Sequence, residues 1–175
     1  MEISKGLFKS LIKISALLDK NAIRHCLTGG LAVSIVSQPR ATEDIDFAVL
    51  LEEAEKEKLE TILKSEFTVL QFHKTIMHLH NAAIQRALIR DPLDPEGVVI
   101  IDFLFPINEV FIRTVENAVR INTEGVSIPV ARAEDLILMK TLAGRPQDIF
   151  DIEAIKRECL LDEDYIKKYI SKNTA

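Results

Sequence analysis

The sequence predicts an α/β (α+β) protein, a small mixed β-sheet flanked by helices with a helical segment at the C-terminal end. Three observations carry that expectation. Apolar runs of strand length alternate along the chain with segments of helical periodicity. A glycine pair, Gly29-Gly30, stands between a short apolar run and a helical one. The run Val98–Phe105 is apolar on both faces apart from one acid, as a central strand should be, and a turn from Asp91 to Gly97 precedes it. With 175 residues, 47% of them hydrophobic, the chain fits a domain that buries about 70% of its unfolded surface. No repeat or linker interrupts it. We expect residues 1–130 to form the core and residues 131–175 a helical subdomain packed on it.

From Ser4 to Lys20, Leu7, Leu11, Ile14 and Leu18 recur at helical spacing, and Asn21 is a stop signal. Ile23–Leu27 reads as a first strand running into the glycine turn, and Leu31–Val36 as a helix ended by Gln38-Pro39. Asp44–Leu51 reads as a second strand. Glu52–Ser65 is a charged helix with Leu59, Ile62 and Leu63 inward. Phe67–Phe72 is a third strand, and His73–Asn81 fits strand and helix equally. Ala83–Arg90, the Asp91–Gly97 turn and Val98–Phe105 make a hairpin. Asn108–Arg120 has a helical pattern and Val126–Val130 a strand pattern. Ala133–Ala143 is a helix with Glu134 and Asp135 in its first turn, where the helix dipole favours acids, and Gly144 at its end. Pro146 restarts a helix, and Asp162–Ser171 is the last.

The chemistry is concentrated between Thr28 and Asp46. Two glycines after an apolar strand let backbone approach a bound phosphate, and the helix they open points free N–H groups at that anion. In Asp44-Ile45-Asp46-Phe47-Ala48-Val49 the alternate positions are hydrophobic, so both carboxylates leave the same face of a strand. Two such neighbours stay ionised cheaply only with a cation between them, and Mg2+, or Mn2+, is the oxygen-ligated candidate beside a nucleotide phosphate. Asp102 sits in the apolar Val98–Phe105 run, where an unpaired carboxylate is expensive to keep charged; it needs either that cation or an ion pair with an arginine such as Arg86. The glycine pair also fits an ordinary turn, and Arg40 and Thr42 also fit plain loop surface.

Gly29-Gly30, a spacer containing Arg40 and Thr42, and Asp44-Ile45-Asp46 resemble the motif of the DNA polymerase beta-type nucleotidyltransferases, above all the small bacterial branches that include minimal nucleotidyltransferases and AbiEii-like toxins. That resemblance implies a nucleotidyltransferase fold, with Asp44, Asp46 and Asp102 holding metal and Asp102 taking the proton of an incoming hydroxyl. Gly29, Gly30, Arg40 and Thr42 would meet the nucleotide. A second string, Lys140, Ala143, Arg145, Asp148 and Asp151, is similar to the C-terminal signature of AbiEii-like proteins. Lys140 would neutralise the triphosphate as a mobile point charge. Arg145 would bind nucleotide or pair with Asp148 or Asp151 to fix a helix junction.

Other features narrow the field. A net charge of −5 argues against a domain dedicated to gripping nucleic acid, without removing it as a substrate. Cys26 and Cys159 are expected as reduced thiols, which suggests cytoplasm. The residues from Met1 to Lys5 lack the basic-then-apolar order expected of a signal peptide, and no run approaches the roughly 18 apolar residues of a membrane span. His73, His78 and His80 match no strong zinc spacing. Two functions remain. One is a metal-dependent enzyme moving an NMP from an NTP to a hydroxyl acceptor (tRNA, protein or small molecule), within a toxin–antitoxin or phage-defence system and with a cognate partner protein. The other is a catalytically silent, nucleotide-binding or antitoxin-like interaction module.

Overall fold

The computed structural model describes residues 5–79, 82–94, 97–123 and 125–173. In chain order the elements are α1 (Lys5–Lys20), β1 (His25–Thr28), α2 (Gly29–Val36), β2 (Asp44–Val49), α3 (Glu57–Lys64), β3 (Thr68–Phe72), β4 (Met77–Leu79), β5 (Ala82–Arg90), β6 (Val98–Phe105), α4 (Glu109–Glu116), β7 (Val119–Thr123), β8 (Val126–Val130), α5 (Ala133–Ala143), α6 (Pro146–Glu158) and α7 (Glu163–Asn173). A short 3-10 turn, Glu53–Glu55, precedes α3.

The strands form one mixed sheet in the order β3-β5-β6-β2-β1-β8-β7, with β4 also pairing on β5. The expected hairpin is β5–β6, antiparallel and in register over its whole length from Ala83↔Phe105 to Arg90↔Val98. Strand β2 then lies parallel to β6 and antiparallel to β1. Alternation decides the layers: Ala83, Ala87, Ile89, Ile101, Phe103 and Phe47 are fully buried on one face, with Leu11, Ile14 and Leu59 of α1 and α3 in the same core. On the other face at β1, Cys26 donates to the Thr114 carbonyl of α4 (3.4 Å) and the Thr28 hydroxyl to Met139 of α5 (3.4 Å). The C-terminal helices therefore cover that face at β1, where they also touch α2.

Several boundaries differ from the sequence reading. Residues 119–120 are not the end of the α4 helix but the start of strand β7, which forms a hairpin with β8. Helix α4 stops at Glu116, with Asn117 as its C-cap, and Ala118, Val119 and Ile121 prolong its apolar pattern by coincidence. Helix α2 begins at Gly29, two residues before the apolar run that suggested it. The segment that fitted both helix and strand contains β4, held by its pairing with β5. Among the described residues no helix is long and apolar enough to cross a membrane, and Cys26 and Cys159 are both free thiols.

Candidate active site

Strand register brings four side chains into one row across the sheet. Arg86 of β5 is directly opposite Asp102 of β6, Asp102 opposite Asp46 of β2, and Asp46 opposite Thr28 of β1. Neighbouring strands lie about 4.8 Å apart, so each member of the row stands beside the next. Asp44, two residues before Asp46, shares its face while Ile45 and Phe47 fill the core. One carboxylate oxygen from each of Asp44, Asp46 and Asp102 lies within 4.8 Å of the other two. The three acids singled out in the sequence thus converge, at a separation where like charges interact strongly.

The electrostatic consequence falls on Asp46. Desolvation, then repulsion from Asp44 and Asp102, raises its carboxyl to about 7, against partial relief from Lys140 and Arg145. Asp102 has help of its own: Arg86 donates from Nε to Oδ1 at 2.8 Å and from Nη2 to Oδ2 at 2.6 Å. The cation and the arginine that the sequence left as alternatives for Asp102 are therefore compatible in space. The Thr42 hydroxyl donates to Asp44 Oδ1 at 3.0 Å.

The glycine pair seals the row at its β1 end. Gly29 has φ +62°, a left-handed backbone that favours glycine, and any Cβ there would collide with the Asp46 carboxylate. A Cβ on Gly30 would run into the Arg40 guanidinium and the Thr42 hydroxyl. The missing side chain at Gly29 lets helix α2 start beside the acids, and the one missing at Gly30 lets Arg40 and Thr42 lie close over its first turn.

The C-terminal constellation has a different form from the one expected. Lys140 is not a mobile charge at the surface; it is 4% exposed, with Nζ 2.6 Å from Asp151 Oδ2 and 3.2 Å from Asp148 Oδ1. Arg145 caps α6, its amide and Nε donating to Asp148 Oδ2 at 3.0 and 2.8 Å. Arg40 Nε reaches Asp151 Oδ1 at 3.0 Å. The loop before β2 is in this way tied to the α5–α6 junction by the chain Arg40, Asp151, Lys140, Asp148 and Arg145. Burial pushes the Asp148 carboxyl up, but Arg145 and Lys140 outweigh it and hold it below the usual carboxylate range.

Of the residues named from sequence, Gly29, Gly30, Arg40, Thr42, Asp44, Asp46 and Asp102 lie together, and Lys140 and Arg145 act on Asp46 from the adjoining network. His73 and His78 are elsewhere: the His73 amide bonds the Arg86 carbonyl, and His78 faces Glu53. His80 lies outside the described residues. Two concavities of about 620 and 470 Å3, lined by Leu50, Leu51 and Ile62 and by Arg24, His25 and Arg120, lie at the far ends of β1 and β2 from the acids. Arg86 carried less weight in the sequence than the structure gives it. A signal was present, since Arg86 and Asp102 are equidistant from Asp94 at the centre of the turn and a symmetric hairpin must pair them.

Residues 14–173 match the protein family described as nucleotidyl transferase AbiEii toxin, type IV TA system. No curated protein sequence matches the chain. Solved structures share the fold. An antigenic nucleotidyltransferase-like protein from Paracoccidioides brasiliensis is 20% identical over 87% of this chain and 76% of its own, with a TM-score of 0.61. A nucleotidyltransferase candidate from Thermotoga maritima is 15% identical over 90% of this chain and 97% of its own, with a TM-score of 0.58. ANT(2'')-Ia, crystallised with adenylyl-2''-tobramycin, is 13% identical over 95% of this chain and 98% of its own, at a TM-score of 0.56.

Proposed function

From the premise that this chain belongs to the AbiEii nucleotidyltransferase family, we propose that it is a divalent-cation-dependent enzyme transferring an NMP from an NTP to a hydroxyl acceptor. The observation that carries this reading is the convergence of Asp44, Asp46 and Asp102 beside the glycine-started helix α2. Three carboxylates form a hard, oxygen-only donor set, which fits Mg2+ or Mn2+. The raised Asp46 carboxyl fits it too, because three acids and one paired arginine leave a negative excess that a divalent ion would balance. Such an ion would supply charge stabilisation to the phosphoryl group in the transition state.

The residues then divide the work. Gly29 and Gly30 bring the start of α2 to the outer phosphates of the nucleotide, with Arg40 and Thr42 beside them. Asp102, on the side of the row away from α2, receives the proton of the acceptor hydroxyl. The acceptor oxygen bonds to the α-phosphorus as the bond to the β-phosphate oxygen breaks, and pyrophosphate leaves on the α2 side. Arg145 is 70% exposed in its side chain and serves as the cation nearest solvent at that end. Lys140 contributes its field through the buried network instead of by direct contact. In this reading residues 1–130 carry the chemistry and the helical subdomain of residues 131–175 supplies the positive side of the site. A toxin–antitoxin setting with a partner protein is the context the family suggests.

Incubation with each α-labelled NTP, Mg2+ and total cell extract tests the proposal. Label should pass to one fraction (RNA, protein or small molecule) and disappear when Mg2+ is chelated. Hydrolysis of NTP without label transfer under every condition would contradict it.

A further inference from the structure

We propose that Arg86 is the positioning residue for Asp102, fixing the angle of its carboxylate toward the cation site; this rests on the nucleotidyl-transfer reading above. The row Arg86, Asp102, Asp46 spans three adjacent strands, with Arg86 on the side of Asp102 opposite Asp46. Its contact is two-pointed, Nε on Oδ1 at 2.8 Å and Nη2 on Oδ2 at 2.6 Å. A guanidinium holding both oxygens fixes the plane of the carboxylate as well as its charge, which a single ammonium cannot do. Each carboxylate oxygen has two lone pairs. Arg86 takes one from each, leaving one on each oxygen to accept from another group.

The clamp is itself rigidly mounted. β5 pairs with β6 along its length, and the Arg86 carbonyl accepts the His73 amide at 3.0 Å. Asp102 is 4% exposed, so water is a poor substitute for the arginine. Thr42 stands in the same relation to Asp44, donating to Oδ1 at 3.0 Å, but holds only one oxygen. Partners of this kind orient metal-binding carboxylates and usually matter tenfold to a hundredfold for affinity.

An alternative role, simple counter-charge, makes the opposite prediction. Removing a nearby positive charge should tighten the binding of a divalent cation, whereas removing the clamp should weaken it. Electron paramagnetic resonance with Mn2+ as the probe, in the presence of an α,β-methylene nucleoside triphosphate, separates the two. Positioning predicts Mn2+ binding weakened about tenfold or more in both Arg86→Lys and Arg86→Ala, with added guanidinium ion restoring the alanine variant. Unchanged binding in Arg86→Lys, or tighter binding in Arg86→Ala, overturns the proposal. Arg86→Lys keeps the charge, so it decides the matter if Arg86→Ala fails to fold, and a melting curve for each variant establishes folding. Asp46→Asn is the control for the underlying reading. If wild-type protein binds Mn2+ no better than Asp46→Asn, the metal-dependent reading falls and the Arg86 role with it; if wild type binds and only the Arg86 variants behave as wild type, the Arg86 role alone falls.

Discussion

The acid row on the sheet and the ion network at the α5–α6 junction are made of the same side-chain types with opposite balance. Among the described residues, the acids Asp44, Asp46 and Asp102 have one direct cationic partner, Arg86 on Asp102. Asp148 and Asp151 share three, Lys140, Arg145 and Arg40. The first cluster is left with a negative excess and the second with a positive one. The two balances act on the carboxyls accordingly: burial and the neighbouring acids raise that of Asp46 to about 7, while Arg145 and Lys140 hold that of Asp148 below the usual carboxylate range. A cluster that satisfies itself is a structural fastening, and one that does not is prepared for a ligand. In the function proposed above, the row would hold a cation and the network would give an anion a positive boundary.

The largest expected effect breaks the network. Lys140→Ala removes the buried ammonium between Asp148 and Asp151 and leaves them only Arg145 and Arg40; breaking a buried ion pair costs up to ~3–5 kcal/mol, and thermal unfolding should show a much lower melting temperature. A small change in melting accompanied by a large loss of NTP affinity would return Lys140 to direct contact with phosphate. In the row, Asp46→Asn removes charge without removing a structural partner, so the loss should fall on activity. Metal stabilisation is worth several kcal/mol and each ~1.4 kcal/mol is tenfold in rate, so transfer should drop by at least about a hundredfold. Gly29→Ala tests the junction of strand and helix. Its left-handed backbone and the collision with Asp46 should cost on the order of 1–3 kcal/mol, read by chemical denaturation.

A subtler contrast lies in pH dependence. The Asp46 carboxyl is raised in the folded protein, so its protonated form is favoured there; the stability it contributes is complete below about 4 and is lost as pH rises through about 7. Metal-free protein should lose stability over that interval, and Asp46→Asn should lose less. Mg2+ should bind more tightly as pH rises toward 7 and beyond, because binding must displace that proton. Asp148, held low, should contribute nothing to the same interval. The smallest effect belongs to an exposed pair outside both clusters, Arg120 with Asp19, where Arg120→Ala should change stability by only ~0.2–1 kcal/mol. A larger value there would weaken the distinction between self-satisfied and unsatisfied clusters.

The row was legible in the sequence because strand periodicity is local. Alternation with Ile45 and Phe47 put Asp44 and Asp46 on one face, and an acid inside an apolar run marked Asp102. The network was only half legible. Arg145 with Asp148 is a short-range pair that helix spacing suggests, whereas Arg40 with Asp151 joins residues far apart in the chain, and nothing local to Lys140 shows that its ammonium is buried. Strand β7 was hidden for a related reason: Ala118 and Val119 extend the apolar period of α4 with no glycine or proline between them, and pairing with β8 decides the conformation.

The central claim, that the acid row is a divalent-cation site and not a structural cluster, is tested most directly by thermal unfolding of wild type and Asp46→Asn with and without Mg2+. Relief of repulsion predicts that the metal-free variant melts at or above the wild-type temperature. Mg2+ should raise the wild-type melting temperature, and that increment should shrink or vanish in the variant. A variant that melts markedly lower than wild type, and is stabilised by Mg2+ just as much, would contradict the account.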